Sequence, residues 1–231
     1  MLARVLETEA MDTLEEALDY DSMDHGEVNR LFVADLLAAE PGQGDILDLG
    51  TGNALIPIEL CRQSPTARVL AIDVAEHMLA VARRNVESAG FSGRIRLERV
   101  DGKRLPYRDG EFPTVISNSI VHHIPEPRQV LAEAWRVTAS GGLLFIRDLF
   151  RPEDDAAVRR LVETYAAGGN RHYQQMFEDS LRASLTVAEV RSLVAEFGAK
   201  ADSVQATSDR HWTWVVRKKW AVGSGQWRAE R

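Results

Sequence analysis

The stretch Asp45-Ile46-Leu47-Asp48-Leu49-Gly50-Thr51-Gly52-Asn53-Ala54 changes character twice in ten residues. Ile46, Leu47 and Leu49 form a short apolar run bounded by turn residues, Pro41, Gly42 and Gly44 before it and Gly50 and Gly52 after it. That pattern suits a buried parallel strand. From Asn53 the spacing becomes helical, with Leu55, Ile58 and Leu60 on one face, and Pro57 is tolerable because it falls near the first turn. A glycine turn between a strand and a helix lets a ligand approach the backbone and meet the helix N–H groups, which points to a nucleotide-like molecule. Many α/β folds need such a turn merely to pack, so the rest of the chain must decide.

Composition narrows the choice. A chain of 231 residues, 45% of them hydrophobic, supports one domain with a full core. The net charge of -7 argues against a large nucleic-acid footprint, which needs surplus Lys and Arg. The single cysteine, Cys61, lies in the first core helix and reads as a small buried residue, excluding a disulfide framework and a Cys-based metal site; no metal is expected. The N-terminus turns acidic without building a signal-peptide core, and no stretch reaches membrane-spanning length. A cytoplasmic protein without membrane contact is the expectation.

Upstream, residues 1 to 25 (with Leu14, Ala17 and Leu18) and Val28 to Ala39 read as two amphipathic helices leading into the first strand. Downstream, Val69 to Asp73 reads as a second buried strand ending in a carboxylate. Asp73 stands about 20 residues past the glycine turn, where an acidic side chain reaches a ribose hydroxyl; a helix N-cap is the other reading. A helix from Ala75 to Ala89 stops at Gly90, and a more exposed strand carrying Ile95, Leu97 and Val100 ends at Asp101-Gly102. A fourth strand, Thr114 to Ser117, runs into Asn118-Ser119-Ile120-Val121-His122-His123. Pro125 and Pro127 delay the next helix, and Ser140-Gly141-Gly142 turns into a fifth strand, Leu143 to Ile146. Five strands alternating with helices make a doubly wound parallel sheet. After a helical segment broken at Gly168-Gly169-Asn170, a helix runs from Thr186 to Phe197. The strands Ser203 to Thr207 and Trp212 to Arg217 are joined by too short a turn for a crossover and so pair antiparallel. From Lys218 a frayed tail is expected.

These residues resemble the class I S-adenosylmethionine-dependent methyltransferases over residues 43 to 217. Asp48 to Ala54 is similar to the acidic-x-Gly-x-Gly-x-Gly signature with Ala54 in place of the last glycine. Asp73 with Met78-Leu79, Asp101-Gly102, Phe112 to His123, and Trp135-Arg136-Val137 running into Gly141-Gly142 match further motifs in order. A nicotinamide-dinucleotide site fits less well, because Leu55 occupies the place of its third glycine. The resemblance implies a Rossmann-like seven-stranded α/β sheet, an N-terminal helical lid (1–42), a methyltransferase domain (43–217) with a helical cap at about 150–185, and a tail (218–231).

The resemblance also implies roles. S-adenosylmethionine would lie on Gly50, Thr51, Gly52 and Asn53, with Asp48 supporting its ammonium. Asp73 beside Val74 would take the ribose hydroxyls. Met78 would pack on the adenine, or simply belong to the core. Asp101 with Gly102 would accept from the adenine amino group, or cap a strand end. Asn118 would lie near the transferring methyl, and Tyr20 would close over the cofactor carboxylate. His122 or His123 stands where a base could serve a hydroxyl or amine acceptor; one packing and one solvated is the plainer alternative. Arg147, Asp148, Arg151, Arg171, His172, Tyr173 and Arg210 fall on the substrate side, as acceptor contacts or as a solvated charged surface. A small-molecule acceptor leads. RNA or protein methylation is disfavoured because the fourth-strand tract lacks an Asn-Pro-Pro-aromatic arrangement, and a non-catalytic cofactor-binding module is the third reading. The oligomeric state is left open, a homodimer included.

Overall fold

A computed structural model describes residues 2–7, 13–21, 23 and 26–219, and most of the expected tail lies outside them. Strands β1 (Asp45–Leu49), β2 (Arg68–Asp73), β3 (Ile95–Arg99), β4 (Phe112–Asn118), β5 (Thr138–Leu149), β6 (Val204–Ala206) and β7 (His211–Arg217) form one sheet. Their order is β3-β2-β1-β4-β5-β7-β6. The first five are parallel, whereas β7 runs antiparallel to both β5 and β6. Helices α1 (Leu14–Asp21), α2 (Gly26–Ala38), α3 (Leu55–Gln63), α4 (Glu76–Ser88), α5 (Pro127–Val137), α6 (Asp155–Tyr165), α7 (Arg171–Ala183) and α8 (Val187–Glu196) surround it. This is the α/β arrangement the sequence predicts.

Alternation along each strand divides the core between two faces. Leu47, Leu49, Leu70, Ile72, Val115, Leu144 and Ile146 pack with α5, α8 and the buried Trp212 and Trp214. Ile46, Val69, Ala71, Ile116, Leu143 and Phe145 pack with α2, α3 and α4. Each fully buried Leu, Ile or Val contributes about 1.5–3 kcal/mol relative to an exposed one. On the first face Trp214 stacks on Trp135 with ring centroids 5.9 Å apart, tying β7 to α5.

Three local features differ from the sequence reading. Residues 2–7 are not helical; they form an extended strap pinned by Arg4, whose guanidinium donates to the carbonyls of Ala183 (2.6 Å), Ile124 (3.0 Å), His122 and Pro125 (both 3.2 Å). The fifth strand begins at Thr138 and absorbs the expected turn. A Cβ at Gly142 would lie 2.9 Å from two backbone oxygens, which is why the chain can pass there only as glycine. Lys218 is not frayed: its backbone pairs with Gly141 and Gly142, and its ammonium donates to the carbonyls of Trp135, Arg136 and Thr138. Those carbonyls end α5, where a cation is favoured by the helix dipole.

The break at Gly168-Gly169-Asn170 proves to be a helix boundary, with Asn170 accepting from the Tyr173 N–H as the N-cap of α7. Thr186 and Glu189 form a reciprocal capping box on α8. Strand order reverses between β1 and β4, so the connections leaving their carboxyl ends diverge. A crevice opens at that switch point.

Candidate functional site

The turn at the head of β1 is built from left-handed backbone. Gly50 has φ 68° and Gly52 φ 57°, and Ala54, where the motif has its last glycine, also sits at φ 62°. A Cβ on Gly50 would come within 2.2 Å of the Ile120 Cγ2. Gly50→Ala should therefore destabilise the protein by about 2–4 kcal/mol, the left-handed penalty plus overpacking. Urea unfolding would register this as a lower midpoint with an unchanged m-value; an unchanged midpoint would refute it.

Asp73 holds the turn from the side. Its carboxylate accepts from the Gly52 N–H at 2.8 Å and the Ala75 N–H at 2.9 Å. Burial raises its pKa, and those backbone donors work against the rise. A carboxylate has about four acceptor positions, so this bracing leaves capacity for a ligand. From above, Asp21 at the end of α1 accepts from Asn53 (3.0 Å), Asn85 (2.7 Å) and Arg84 (2.6 Å). That anchorage sets Tyr20 beside Gly52 and in one cluster with Ala17, Ala75, Met78 and Val81.

One cavity of about 660 Å³ runs over the turn, a size suited to a small ligand. Tyr20, Asp48, Gly50, Thr51, Gly52, Asn53, Asp73, Val74, Met78, Asp101, Gly102 and Asn118 all line it. Within it, Asp48 Oδ2, Thr51 Oγ1 and Asn118 Oδ1 are buried without a hydrogen-bond partner among the described residues. Buried orphan oxygens are costly unless a ligand satisfies them. Burial pushes the Asp48 pKa up to about 7, against the neighbouring Thr51 hydroxyl, which lowers it, and with Asp73, which raises it. Burial likewise pushes Tyr20 to about 12. Such oxygens call for a ligand that brings hydrogen-bond donors, N–H groups or a cationic ammonium among them.

The substrate side is organised differently from the sequence reading. Of its charged candidates only Arg210 lines the cavity, stacked over the Tyr165 ring at 3.4 Å. Arg147 is turned to the other face of the sheet, where it pairs with Asp35 at 2.6 Å, donates to Thr213 and lies between Phe32 and Phe145. Arg151 is spent on the Ser184 carbonyl and Glu189. Asp148 is buried, accepts from the N–H groups of Val121 and Leu149, and meets His122 Nδ1 at 2.5 Å. Arg147 and Asp148 lie at the end of β5, which is flanked by β4 and β7, and like Arg151 beyond it they are buried and engaged with protein partners. Arg171 and His172 also lie off the cavity, whereas Tyr173 lines it.

His122 and His123 both reach the cavity. Burial acts to lower the His122 pKa, but the Asp148 carboxylate outweighs it and the net shift is upward. Residues without a sequence signal complete the wall: Leu31 from α2, Ile124, and Tyr165, Met176 and Phe177 from α6 and α7. Helical spacing alone did not distinguish these from core positions. His211 also lines the cavity, and burial beside Arg210 and Arg147 lowers its pKa to about 4.

Comparison with known proteins agrees with this geometry. Residues 47–146 match a family model described as "Methyltransferase domain". A demethylmenaquinone methyltransferase from Thermus thermophilus is 34% identical over 129 residues, 56% of this chain and 57% of that protein. A malonyl-[acyl-carrier protein] O-methyltransferase from Geobacter sulfurreducens is 32% identical over 153 residues, 64% of this chain and 56% of its own length. The chain thus spans just over half the length of these curated relatives. The crystal structure of a SAM-dependent methyltransferase from Aquifex aeolicus shares the fold, with a TM-score of 0.64 at 18% identity, covering 88% of this chain and 97% of that one. Residues 47–146 thus match a methyltransferase domain, and the sheet that carries them has the fold of the solved SAM-dependent methyltransferase.

Proposed function

We propose that the protein transfers a methyl group from S-adenosylmethionine to a small-molecule acceptor. The observation that carries this reading is a single cavity shared by the orphan oxygens of the strand tips and the apolar, aromatic residues of α6 and α7. The cofactor supplies a methyl on a sulfonium, an electrophile with an intrinsically good leaving group. Asp48 would hold its ammonium, Asp73 its ribose hydroxyls, and Asp101 its adenine amino group, while Met78 and Tyr20 cover it. Asn118, at the end of β4, would orient the reacting end. The chain's contribution is chiefly alignment of acceptor and methyl, together with exclusion of water by α1, α2, α6 and α7 as lid and cap.

A small acceptor suits an enclosed wall of Leu31, Ile124, Tyr165, Met176 and Phe177, with Arg210 and Tyr173 available to a polar group. The relatives named for quinone and acyl-carrier-protein substrates are in keeping with that class. The net charge of -7 weighs against nucleic acid. No described helix is long and apolar enough to cross a membrane, and a reducing cytoplasm suits the free, buried Cys61.

Calorimetry with S-adenosylmethionine and S-adenosylhomocysteine, followed by transfer of labelled methyl across a panel of quinones, phenols and carboxylates, tests the proposal. Micromolar binding with turnover on one class is the expected result. Binding without turnover on small molecules, RNA or protein would favour a cofactor-binding module, and no binding would refute the reading altogether.

A further inference from the structure

Beside the cavity, Glu7 on the N-terminal strap meets the two adjacent histidines that follow β4. Glu7 Oε1 lies 3.1 Å from His123 Nδ1 and 3.5 Å from His122 Nε2. Among the described residues, these three form a group whose ligand atoms all lie within 4.8 Å of one another. We propose that Glu7, His122 and His123 form a binding site for a divalent transition ion of the zinc class.

Four observations support it. A tetrahedral ion with bonds of 2.0–2.1 Å holds its ligand atoms about 3.3 Å apart, the separation already present between Glu7 and each histidine. Glu7 Oε1 and His123 Nδ1 are buried atoms that face each other and have no other hydrogen-bond partner among the described residues. Two of the three ligands, His122 and Glu7, are also held from behind. Asp148 fixes His122 through Nδ1, which presents Nε2 to the site, and Ser180 donates to the other Glu7 oxygen at 3.3 Å. A carboxylate behind an imidazole ligand is the usual outer support of such metals. Lastly, two imidazoles and one carboxylate suit zinc and its transition-metal neighbours rather than magnesium or calcium.

The histidines line the cavity, and Glu7 meets them from the strap, where it also lines a neighbouring cleft with Val5, Leu6, Asp179 and Arg182. Arg4 is a positioning residue here. By gripping the His122 and Ile124 carbonyls together with Ala183, it holds the strap in register with the histidines.

The test is zinc titration of the EDTA-stripped full chain by calorimetry and elemental analysis, alongside Glu7→Gln, His123→Ala and Arg4→Ala, with binding of S-adenosylhomocysteine measured separately. One equivalent of zinc is expected at micromolar affinity or tighter. It should weaken by about 100-fold in Glu7→Gln and His123→Ala and about tenfold in Arg4→Ala, while S-adenosylhomocysteine affinity in Glu7→Gln and Arg4→Ala stays within threefold. Cobalt(II) in the wild type should give the visible absorption of a four- or five-coordinate centre, absent in Glu7→Gln. Either no saturable zinc binding by the wild type or binding unchanged in both ligand variants overturns the proposal. The methyl-transfer reading stands or falls on the nucleoside arm alone.

Discussion

Asp73→Ala is expected to reduce affinity for S-adenosylhomocysteine by 10²- to 10⁴-fold, the largest effect of any single change in the site. Two charge-assisted hydrogen bonds to ribose hydroxyls are worth roughly 1.5–3 kcal/mol each. The same carboxylate braces the Gly52 and Ala75 N–H groups, so its removal also loosens the turn on which the ligand rests. Melting temperature should fall as well, because two part-buried backbone donors lose their acceptor. Asp73→Asn separates the contributions: its single amide oxygen can satisfy one of those N–H groups but not both, so stability should recover in part while affinity stays low. Titration calorimetry giving a dissociation constant within threefold of wild type for Asp73→Ala would remove the ribose role.

Asp48→Asn is expected to move affinity and stability in opposite directions. The Asp48 pKa in the folded protein is raised to about 7 by burial. Since an unfolded Asp titrates near 4, the folded chain holds a proton there that the unfolded chain has released. Stability of the free protein contributed by this group is therefore fully present below about pH 4 and declines as pH rises to about 7. Above pH 7 the neutral Asn removes this penalty, on the order of a few kcal/mol, and should raise the melting temperature by about 5–10 °C. Binding should suffer. An ammonium facing Asn instead of a buried carboxylate loses about 2–4 kcal/mol, or 30- to 1,000-fold. In the wild type, affinity should fall about tenfold per pH unit below 7 as Asp48 protonates, and this dependence should vanish in the Asn variant. A variant that melts lower at pH 8, or binds as tightly as wild type, would contradict the assignment.

The donor half of the candidate site could be proposed from the sequence because it is local. Asp48 to Ala54, Asp73 and Asp101 each end a short hydrophobic strand, and a parallel sheet brings the carboxyl ends of its strands to one edge whatever the loops do. Every residue placed at the cofactor on that logic lines the cavity over the glycine turn. The acceptor half was not legible. Arg147 and Asp148 are neighbours at the end of β5, yet period-2 alternation sends Arg147 to Asp35 and Asp148 to His122 on opposite faces. A polar residue at a strand end reads the same whether it serves a ligand or a neighbour.

Glu7 illustrates the limit most clearly. Nothing in Arg4-Val5-Leu6-Glu7 signals a functional residue, and its place depends on Arg4 reaching carbonyls of residues more than a hundred positions away. Backbone carbonyls carry no sequence signature, so such docking cannot be read from residue identities. The sequence by itself therefore determined the strand–turn–helix order, the two-faced core and the glycine turn, all properties of hydrophobic period and backbone freedom within short windows. Only the tertiary structure decided which buried charges pair with one another, which reach the cavity, and that the strap sets a carboxylate against two histidines, because those outcomes rest on side-chain direction and on contacts between distant segments.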